Sequence, residues 1–140
     1  MFARILVGVD GSEAAERALA RALDLAALCG SELFVVSAEE RLPAYAVTVG
    51  EIQEEERYEH RYYRRIQHEA RRQAEEHGVP VRLEVVPGHP AQVLVRVATE
   101  HGCDLIVLGH TGHSGLHHLF LGSTADRVVE HARCAVLVVR

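Results

Sequence analysis

Short apolar segments alternate along this chain with longer segments that have helical periodicity. Three of the short segments are continuously apolar, at residues 5–7, 105–108 and 136–139. A strand needs such a run when helices cover both faces of its sheet, and strands that alternate with helices predict βαβ units and a parallel sheet. We predict five strands, at residues 4–9, 32–38, 81–86, 104–109 and 135–139. With 140 residues the chain has the length of one domain, which we place over residues 1–140.

Four predicted helices fill the intervals between the strands. The first runs from Ser12, which can cap its start, to Cys29, and Gly30 can end it. The third begins at Pro90 and stops at Gly102, since proline is tolerated at a first helical position. The apolar face of the first helix is predicted to contain Ala15, Ala18, Leu19, Ala22, Leu25, Ala26 and Cys29.

The second and fourth helices carry most of the charged and capping residues. The second follows a predicted loop at 39–50, spans 51–77, and has a narrow apolar stripe of Tyr62, Ile66, Ala70 and Ala74. Its many arginine and glutamate residues indicate a solvated face, and a partner-binding surface is the less favoured alternative. The fourth helix begins near Ser123, where Ser123 and Asp126 match an S-x-x-D capping pattern.

All 15 basic residues counted as lysine or arginine are arginines, because the sequence contains no lysine. This excludes a Walker phosphate loop, a protein kinase and Schiff-base chemistry, each of which needs a lysine. A flavodoxin-like or receiver domain is the less favoured structural alternative, because a receiver needs an acidic cluster and a lysine. The net charge of −5 argues against a nucleic-acid partner.

No apolar run approaches the roughly 18 residues of a membrane span, and the N-terminus lacks the layout of a signal peptide, so we expect a cytoplasmic protein without a membrane partner. Cys29, Cys103 and Cys134 are expected to be reduced.

A glycine-rich segment at residues 109–124 is the strongest functional signal. Gly109 ends an apolar strand, Gly112 and Gly115 follow, and Gly122 and Ser123 open a helix. Glycine lets the backbone approach a ligand closely, and a helix start presents unpaired N–H groups and partial positive charge. Together these features suit a phosphate group.

Asp10 follows the first predicted strand and begins an Asp-Gly-Ser turn. Ligands of open α/β sheets lie beyond the carboxyl ends of the strands, so Asp10 and Gly109 would meet there if their strands are neighbours. A carboxylate at that point can accept hydrogen bonds from a ribose or hold a metal that phosphates carry. The alternative is that Asp10 caps the first helix, and spacing alone leaves both interpretations open.

The glycine spacing resembles that of universal stress proteins of the ATP-binding kind. These carry a glycine, two residues, a second glycine, nine residues, and a glycine followed by serine or threonine. Gly109, Gly112, Gly122 and Ser123 match this pattern without a gap. The resemblance extends to the segments 5–12, 88–90, 104–109, 121–123 and 134–139, whereas residues 39–77 lack familiar features.

The resemblance implies a Rossmann-like α/β fold of the adenine nucleotide alpha hydrolase-like type, with helices on both faces of an open five-stranded parallel sheet in the order 3-2-1-4-5. It also implies an ATP site with Mg²⁺ carried by the nucleotide. Asp10 would face the ribose, and Gly8, Val9 and Ala38 would lie near the adenine. The ribose and phosphate region would be lined by Leu108, Gly109, Gly112 and His113, and the β- and γ-phosphates would be held by Gly122, Ser123 and Thr124.

His113 departs from the arginine or lysine that is frequent at its position in the family. Histidine loses its charge near pH 6.5, whereas arginine stays charged. We therefore predict tighter ATP binding at pH 6 than at pH 8 through protonated His113.

His110, His113, His117 and His118 also form a cluster; zinc binding is the less favoured interpretation, because no cysteine or carboxylate within the loop completes a site.

Three functions of different classes stay open. The first, which we favour, is a regulatory stress-response module that responds to ATP. The second is a slow ATPase or an enzyme that phosphorylates itself at Ser123 or Thr124. The third is an interaction protein that uses its charged helix and needs no nucleotide. The resemblance also implies a homodimer. We expect it to form through the final strand at 135–139, because this apolar edge is open, unless Arg140 blunts it.

Overall fold

Five parallel strands form one open sheet in the order β3-β2-β1-β4-β5. The computed structural model of the chain describes residues 1–40, 49–111 and 121–140, with the backbone alone for residues 49–56 and 59. The strands are β1 Arg4–Gly8, β2 Glu32–Glu39, β3 Val81–Pro87, β4 Leu105–Gly109 and β5 Ala135–Val139. The helices are α1 Glu13–Cys29, α2 Val49–His77, α3 Pro90–Glu100 and α4 Ser123–His131. The predicted α/β class, strand number and strand order are confirmed.

Two layers of helices cover the sheet, as its apolar strands require. Ile5 and Val7 of β1 are fully buried in a core that α1 and α2 cover. Leu6, between them, is fully buried in the opposite core, which contains residues of α3 and α4. Because side chains alternate across a strand, one continuous run of apolar residues fills both cores.

Both ends of α1 have the caps that the sequence predicts. The Ala15 N–H donates to the Ser12 hydroxyl over 3.2 Å, and Gly30 adopts a left-handed conformation with φ of 67°. The buried face of α1 differs in part from the predicted one. Leu25 and Cys29 are only partly buried, whereas Ala14 and Leu23 are buried. The face contacting β4 and β1 is therefore rotated slightly relative to the predicted one.

The predicted stripe of α2 faces the core. Ala70 and Ala74 are fully buried, while Tyr62 and Ile66 are partly buried. On the opposite side, Arg72 forms exposed ion pairs with Glu69 and Glu76, and its hydrogen bond lowers the pKa of Glu69 to about 2. The helix begins two residues before the predicted start, and most of the predicted loop at 39–50 lies outside the described residues.

The start of α4 corrects one prediction. Gly122, rather than Ser123, is the N-cap residue, and the Asp126 N–H donates to the Gly122 carbonyl over 2.9 Å. Ser123 is the first helical residue, so the prediction that Ser123 caps the helix in a pattern with Asp126 is wrong by one position. Because glycine has no side chain to accept a hydrogen bond, the first turn of α4 has no side-chain cap.

The amino ends of the strands are closed by polar contacts. The Asp104 carboxylate accepts hydrogen bonds from the Ala3 N–H at 3.0 Å and the Arg4 N–H at 3.1 Å. The His101 ring stacks on Phe34 with centroids 4.8 Å apart, and its Nε2 lies 3.1 Å from a Glu84 carboxylate oxygen. In the described part of the chain, no helix has the length and apolarity needed to cross a membrane.

Candidate functional site

A cleft lies beyond the carboxyl ends of β1, β2 and β4, bordered by the starts of α1, α3 and α4. The sequence-predicted site residues that line it are Gly8, Val9, Asp10, Ala38, Leu108, Gly109, Gly122, Ser123 and Thr124. Segments more than 80 residues apart in sequence therefore meet at one place. Gly112 and His113, the other two predicted residues, lie outside the described residues, as do His117 and His118.

Sequence reasoning missed several residues of the cleft wall. Its apolar part also contains Ala15, Val36, Pro90, Leu94 and Ala125, and its polar part also contains Ser12, His110 and Thr111. Val36 and Leu94 were recognisable only as core residues, because periodicity indicates burial without indicating which buried residue borders an opening. Pro90 could have been found because it is the last residue of the segment 88–90 that resembles the family.

The turn after β1 holds Asp10 in a defined position. The Ser12 N–H donates to Asp10 Oδ1 over 2.9 Å, while Ser12 itself caps α1. The alternative in which Asp10 caps α1 is therefore wrong. Gly11 adopts φ of +83°, a conformation that glycine takes at low cost. The turn thus presents the partly buried Asp10 carboxylate to the cleft and leaves the capping to Ser12.

Close packing requires the glycine at position 109. A Cβ atom there would lie 2.7 Å from the carbonyl carbon of Ala14 and 2.8 Å from its Cβ and oxygen. Sequence reasoning had assigned this glycine to ligand approach alone. The close approach of α1 to β4 is a second reason, and it brings the start of α1 to the edge of the cleft.

Two successive hydrogen bonds connect β5, the end of β4 and the start of α4. The His110 N–H donates to the Val139 carbonyl over 2.7 Å, and the Gly122 N–H donates to the His110 carbonyl over 2.8 Å. This connection places the first turn of α4 beside the end of β4. The N–H groups of a first helical turn have no acceptor within the helix, so this end of α4 carries partial positive charge. Ser123, Thr124 and Ala125 bring that end to the cleft.

Hydroxyl groups behind the cleft hold the carbonyls of its walls. The buried Ser37 hydroxyl donates to the Val9 carbonyl over 2.8 Å, and the Tyr63 hydroxyl donates to the Ala38 carbonyl over 3.0 Å. The Tyr62 hydroxyl donates to the Asp10 carbonyl. Burial, followed by the nearby Asp10 charge, raises the pKa of Tyr62 above its usual value. Sequence reasoning placed Tyr62 in an apolar stripe and missed its polar contact.

The described part of the cleft wall has one carboxylate, that of Asp10, and no arginine. Its potential for holding an anion therefore comes from the start of α4 and from the hydroxyls of Ser123 and Thr124. Over residues 1–40, 49–111 and 121–140, no group of three or more histidine, cysteine, aspartate or glutamate side chains is placed to hold a metal. The prediction for the histidine cluster is not tested, because three of its four residues lie outside these ranges.

An open parallel sheet with a cleft where its winding direction reverses, between β1 and β4, defines a Rossmann-like α/β protein. The sequence profile of the universal stress protein family matches residues 1–140. A universal stress protein of Thermus aquaticus is 39% identical over 141 residues, which cover 100% of each chain. The chain belongs to the universal stress protein family.

Solved structures agree with this assignment. The universal stress protein UspA from Lactobacillus plantarum is 27% identical and superimposes with a TM-score of 0.85 over 99% of this chain and 97% of its own. A universal stress protein solved in complex with cAMP is 29% identical, with a TM-score of 0.73 over 99% of this chain and 97% of its own. The latter protein therefore binds an adenine nucleotide on a similar fold.

Proposed function

We propose that this protein binds ATP, with Mg²⁺ carried by the nucleotide, and acts as a nucleotide-responsive regulatory module of the stress response. One observation carries the proposal: nine residues chosen from the sequence for nucleotide binding line one cleft. The cAMP complex of a protein 29% identical to this chain supports an adenine nucleotide as the class of ligand. We place this activity in a single domain over residues 1–140.

The two sides of the cleft suit the two ends of a nucleotide. Val36 and Leu94 give one side an apolar surface on which a base can be buried. We assign Gly8, Val9 and Ala38 to the adenine and Asp10 to the ribose. The free energy of a micromolar complex is about 8 kcal/mol, so burial of the base has to add to the phosphate contacts.

The opposite side of the cleft suits phosphate groups. Gly122, Ser123 and Thr124 offer backbone N–H groups at a helix start together with two hydroxyls, and we assign them to the β- and γ-phosphates. We assign Leu108, Gly109, Gly112 and His113 to the ribose and the adjoining phosphate. Mg²⁺ prefers oxygen ligands and is usually held by substrate phosphates and few carboxylates, so Asp10 is the residue of the described wall that would contact it.

Calorimetric titration of the untagged protein with ATP and Mg²⁺ tests the proposal. We expect heat of binding, together with a rise in melting temperature that grows with ATP concentration, because a ligand of the native state stabilises it by mass action. Neither heat nor thermal protection at millimolar ATP would contradict the proposed function. Titration with cAMP in parallel separates a site for triphosphates from one that accepts any adenine nucleotide.

We also propose a homodimer that pairs through β5. This strand is at the edge of the sheet, and Leu137 on β5 and Val129 on α4 are exposed. The Val139 carbonyl accepts a hydrogen bond from His110 on the β4 side, so the backbone groups of Val138 point to the open edge. An edge of unpaired backbone groups can pair with a second copy of the chain.

Sedimentation of the wild type and Val138→Pro tests the dimer. Proline removes the N–H of residue 138, which points away from β4, so the fold should be kept while the dimer dissociates. Leu137→Pro is the matched control, because its N–H points toward β4 and its loss should destabilise the fold itself. A dimer of unchanged affinity in Val138→Pro would exclude this interface.

A further inference from the structure

Two consecutive tyrosines of α2 bind the backbone of the cleft walls from behind. The Tyr62 hydroxyl donates to the carbonyl of Asp10, just after β1, and the Tyr63 hydroxyl donates to the carbonyl of Ala38 in β2 over 3.0 Å. Asp10 and Ala38 line the cleft, whereas neither tyrosine is among the described residues that do so. The tyrosines therefore contact the walls of the cleft and leave its interior to the ligand.

Their adjacent positions explain how one helix reaches two strands. Consecutive residues of a helix point in directions about 100° apart, so their side chains diverge. The rings of Tyr62 and Tyr63 are accordingly edge to face, with centroids 5.3 Å apart and planes at 78°. Neighbouring strands lie about 4.8 Å apart, a spacing that two diverging tyrosine side chains can span.

Steric complementarity fixes the contact of Tyr62. Gly11 has φ of +83°, and a Cβ atom at that position would overlap the phenol oxygen and lie 2.9 Å from Cζ of Tyr62. The absence of a side chain at Gly11 is therefore what admits the phenol. An ordinary tyrosine is already a protonated donor at neutral pH. Tyr62 is partly buried, and burial together with the Asp10 charge raises its pKa further.

We propose that Tyr62 and Tyr63 are positioning residues that hold the Asp10 and Ala38 walls of the cleft in the conformation that binds the nucleotide. The proposal rests on the proposed function for its ligand. Without these hydrogen bonds, each wall populates further conformations, and the apparent dissociation constant rises in inverse proportion to the competent fraction. Through these contacts α2, otherwise a highly charged outer helix, contributes to nucleotide affinity.

Tyrosine-to-phenylalanine variants test the effect on affinity. Each substitution removes one hydroxyl and keeps the ring. One neutral hydrogen bond corresponds to about a two- to tenfold change in the dissociation constant for Mg-ATP, which we expect for Tyr62→Phe and again for Tyr63→Phe. Tyr58→Phe is the matched control, since this tyrosine is 63% exposed and its ring stacks on Tyr62. The affinity of Tyr58→Phe for Mg-ATP should equal that of the wild type.

Amide hydrogen exchange of the unliganded protein tests the positioning role without a nucleotide. The Ser12 N–H, which donates to Asp10 Oδ1, should exchange faster in Tyr62→Phe than in the wild type or in Tyr58→Phe. Exchange at Ser12 that does not change would overturn the role of Tyr62, even if the wild type fails to bind ATP and the proposed function is lost. Wild-type affinity in both Tyr62→Phe and Tyr63→Phe, with ATP bound normally by the wild type, would overturn the inference alone.

Discussion

The two ends of the sheet share one backbone architecture but differ in what fills them. At the amino ends of the strands, Asp104 binds two N–H groups and His101 stacks on Phe34, so side chains occupy the space between strands and helices. At the carboxyl ends, Gly8 and Gly109 are among the residues that line an open cleft, and hydroxyls hold the walls of that cleft from outside. Side-chain contacts therefore fill the amino ends and stabilise the fold, whereas the carboxyl ends border the cleft in which we propose that the ligand binds.

Gly109 lies at the carboxyl ends but is also required for packing. We expect its substitution to have the largest effect on stability. Gly109→Ala forces Cβ against the Ala14 backbone and should lower the free energy of unfolding by about 3 kcal/mol. Gly102→Ala, at the amino ends, meets only the Arg4 guanidinium at 3.4 Å and should cost about 1–2 kcal/mol through its φ of +65°. Urea unfolding measures both changes. Equal losses would show that the approach of α1 to β4 is not the constraint.

Removing the hydroxyls at the start of α4 should change binding and leave stability nearly unchanged. A hydrogen bond to a charged group contributes about 1.5–3 kcal/mol, so the Ser123→Ala, Thr124→Ala double variant should raise the dissociation constant for Mg-ATP at least about tenfold. Thr99→Ala, at the other end of the sheet, should bind as the wild type does. A double variant with wild-type affinity would remove these hydroxyls from the phosphate site.

At the amino ends, Asp104→Asn should act in the opposite sense, on stability and not on binding. Burial alone would raise the pKa of Asp104, but hydrogen bonds from the Ala3 and Arg4 N–H groups lower it below its usual value. A lowered pKa in the folded state contributes stability above the unfolded-state pKa, which is lost as pH falls through the folded-state pKa. We expect a loss of about 1 kcal/mol at pH 7 that shrinks under acid conditions. Urea unfolding at several pH values checks it; a loss independent of pH would contradict the role of the ionised carboxylate.

The smallest expected effect concerns the contact between Glu84 and His101. Both side chains are partly exposed, and such a contact contributes about 0.5 kcal/mol when the histidine is protonated. Glu84→Gln should lower the free energy of unfolding by that amount and leave ATP affinity unchanged, as urea unfolding and calorimetry can show. A weaker affinity for ATP would mean that the two ends of the sheet are coupled. It would contradict the assignment of stability to the amino ends and of binding to the carboxyl ends.

Much of the fold could be predicted from the sequence because buried parallel strands require continuous apolar runs. The runs at 5–7, 105–108 and 136–139 lie within β1, β4 and β5, and the caps of α1 are where Ser12 and Gly30 place them. The strand order came from the resemblance to the family. No apolar pattern specifies order, because every strand of such a sheet has the same pattern.

The site could be predicted where it depends on backbone, and not where it depends on the reach of side chains. Glycines and a helix start are visible in the sequence, and Gly8, Gly109 and Gly122 do line the cleft. The contacts of Tyr62 and Tyr63 could not be predicted, because helical periodicity shows which face is buried without showing which atom a hydroxyl meets. The predicted N-cap, Ser123, is one position too late, because a glycine such as Gly122 can also be an N-cap residue.

The hydrogen bond from the Gly122 N–H to the His110 carbonyl has a consequence for how this protein can vary. It brings the chain back, at residue 122, to the point that it left at residue 110. His110 and Gly122 are thus fastened to each other and, through Val139, to the edge strand. Because these two residues are held by the scaffold, insertions or deletions in the sequence between them can leave the sheet and α4 in place.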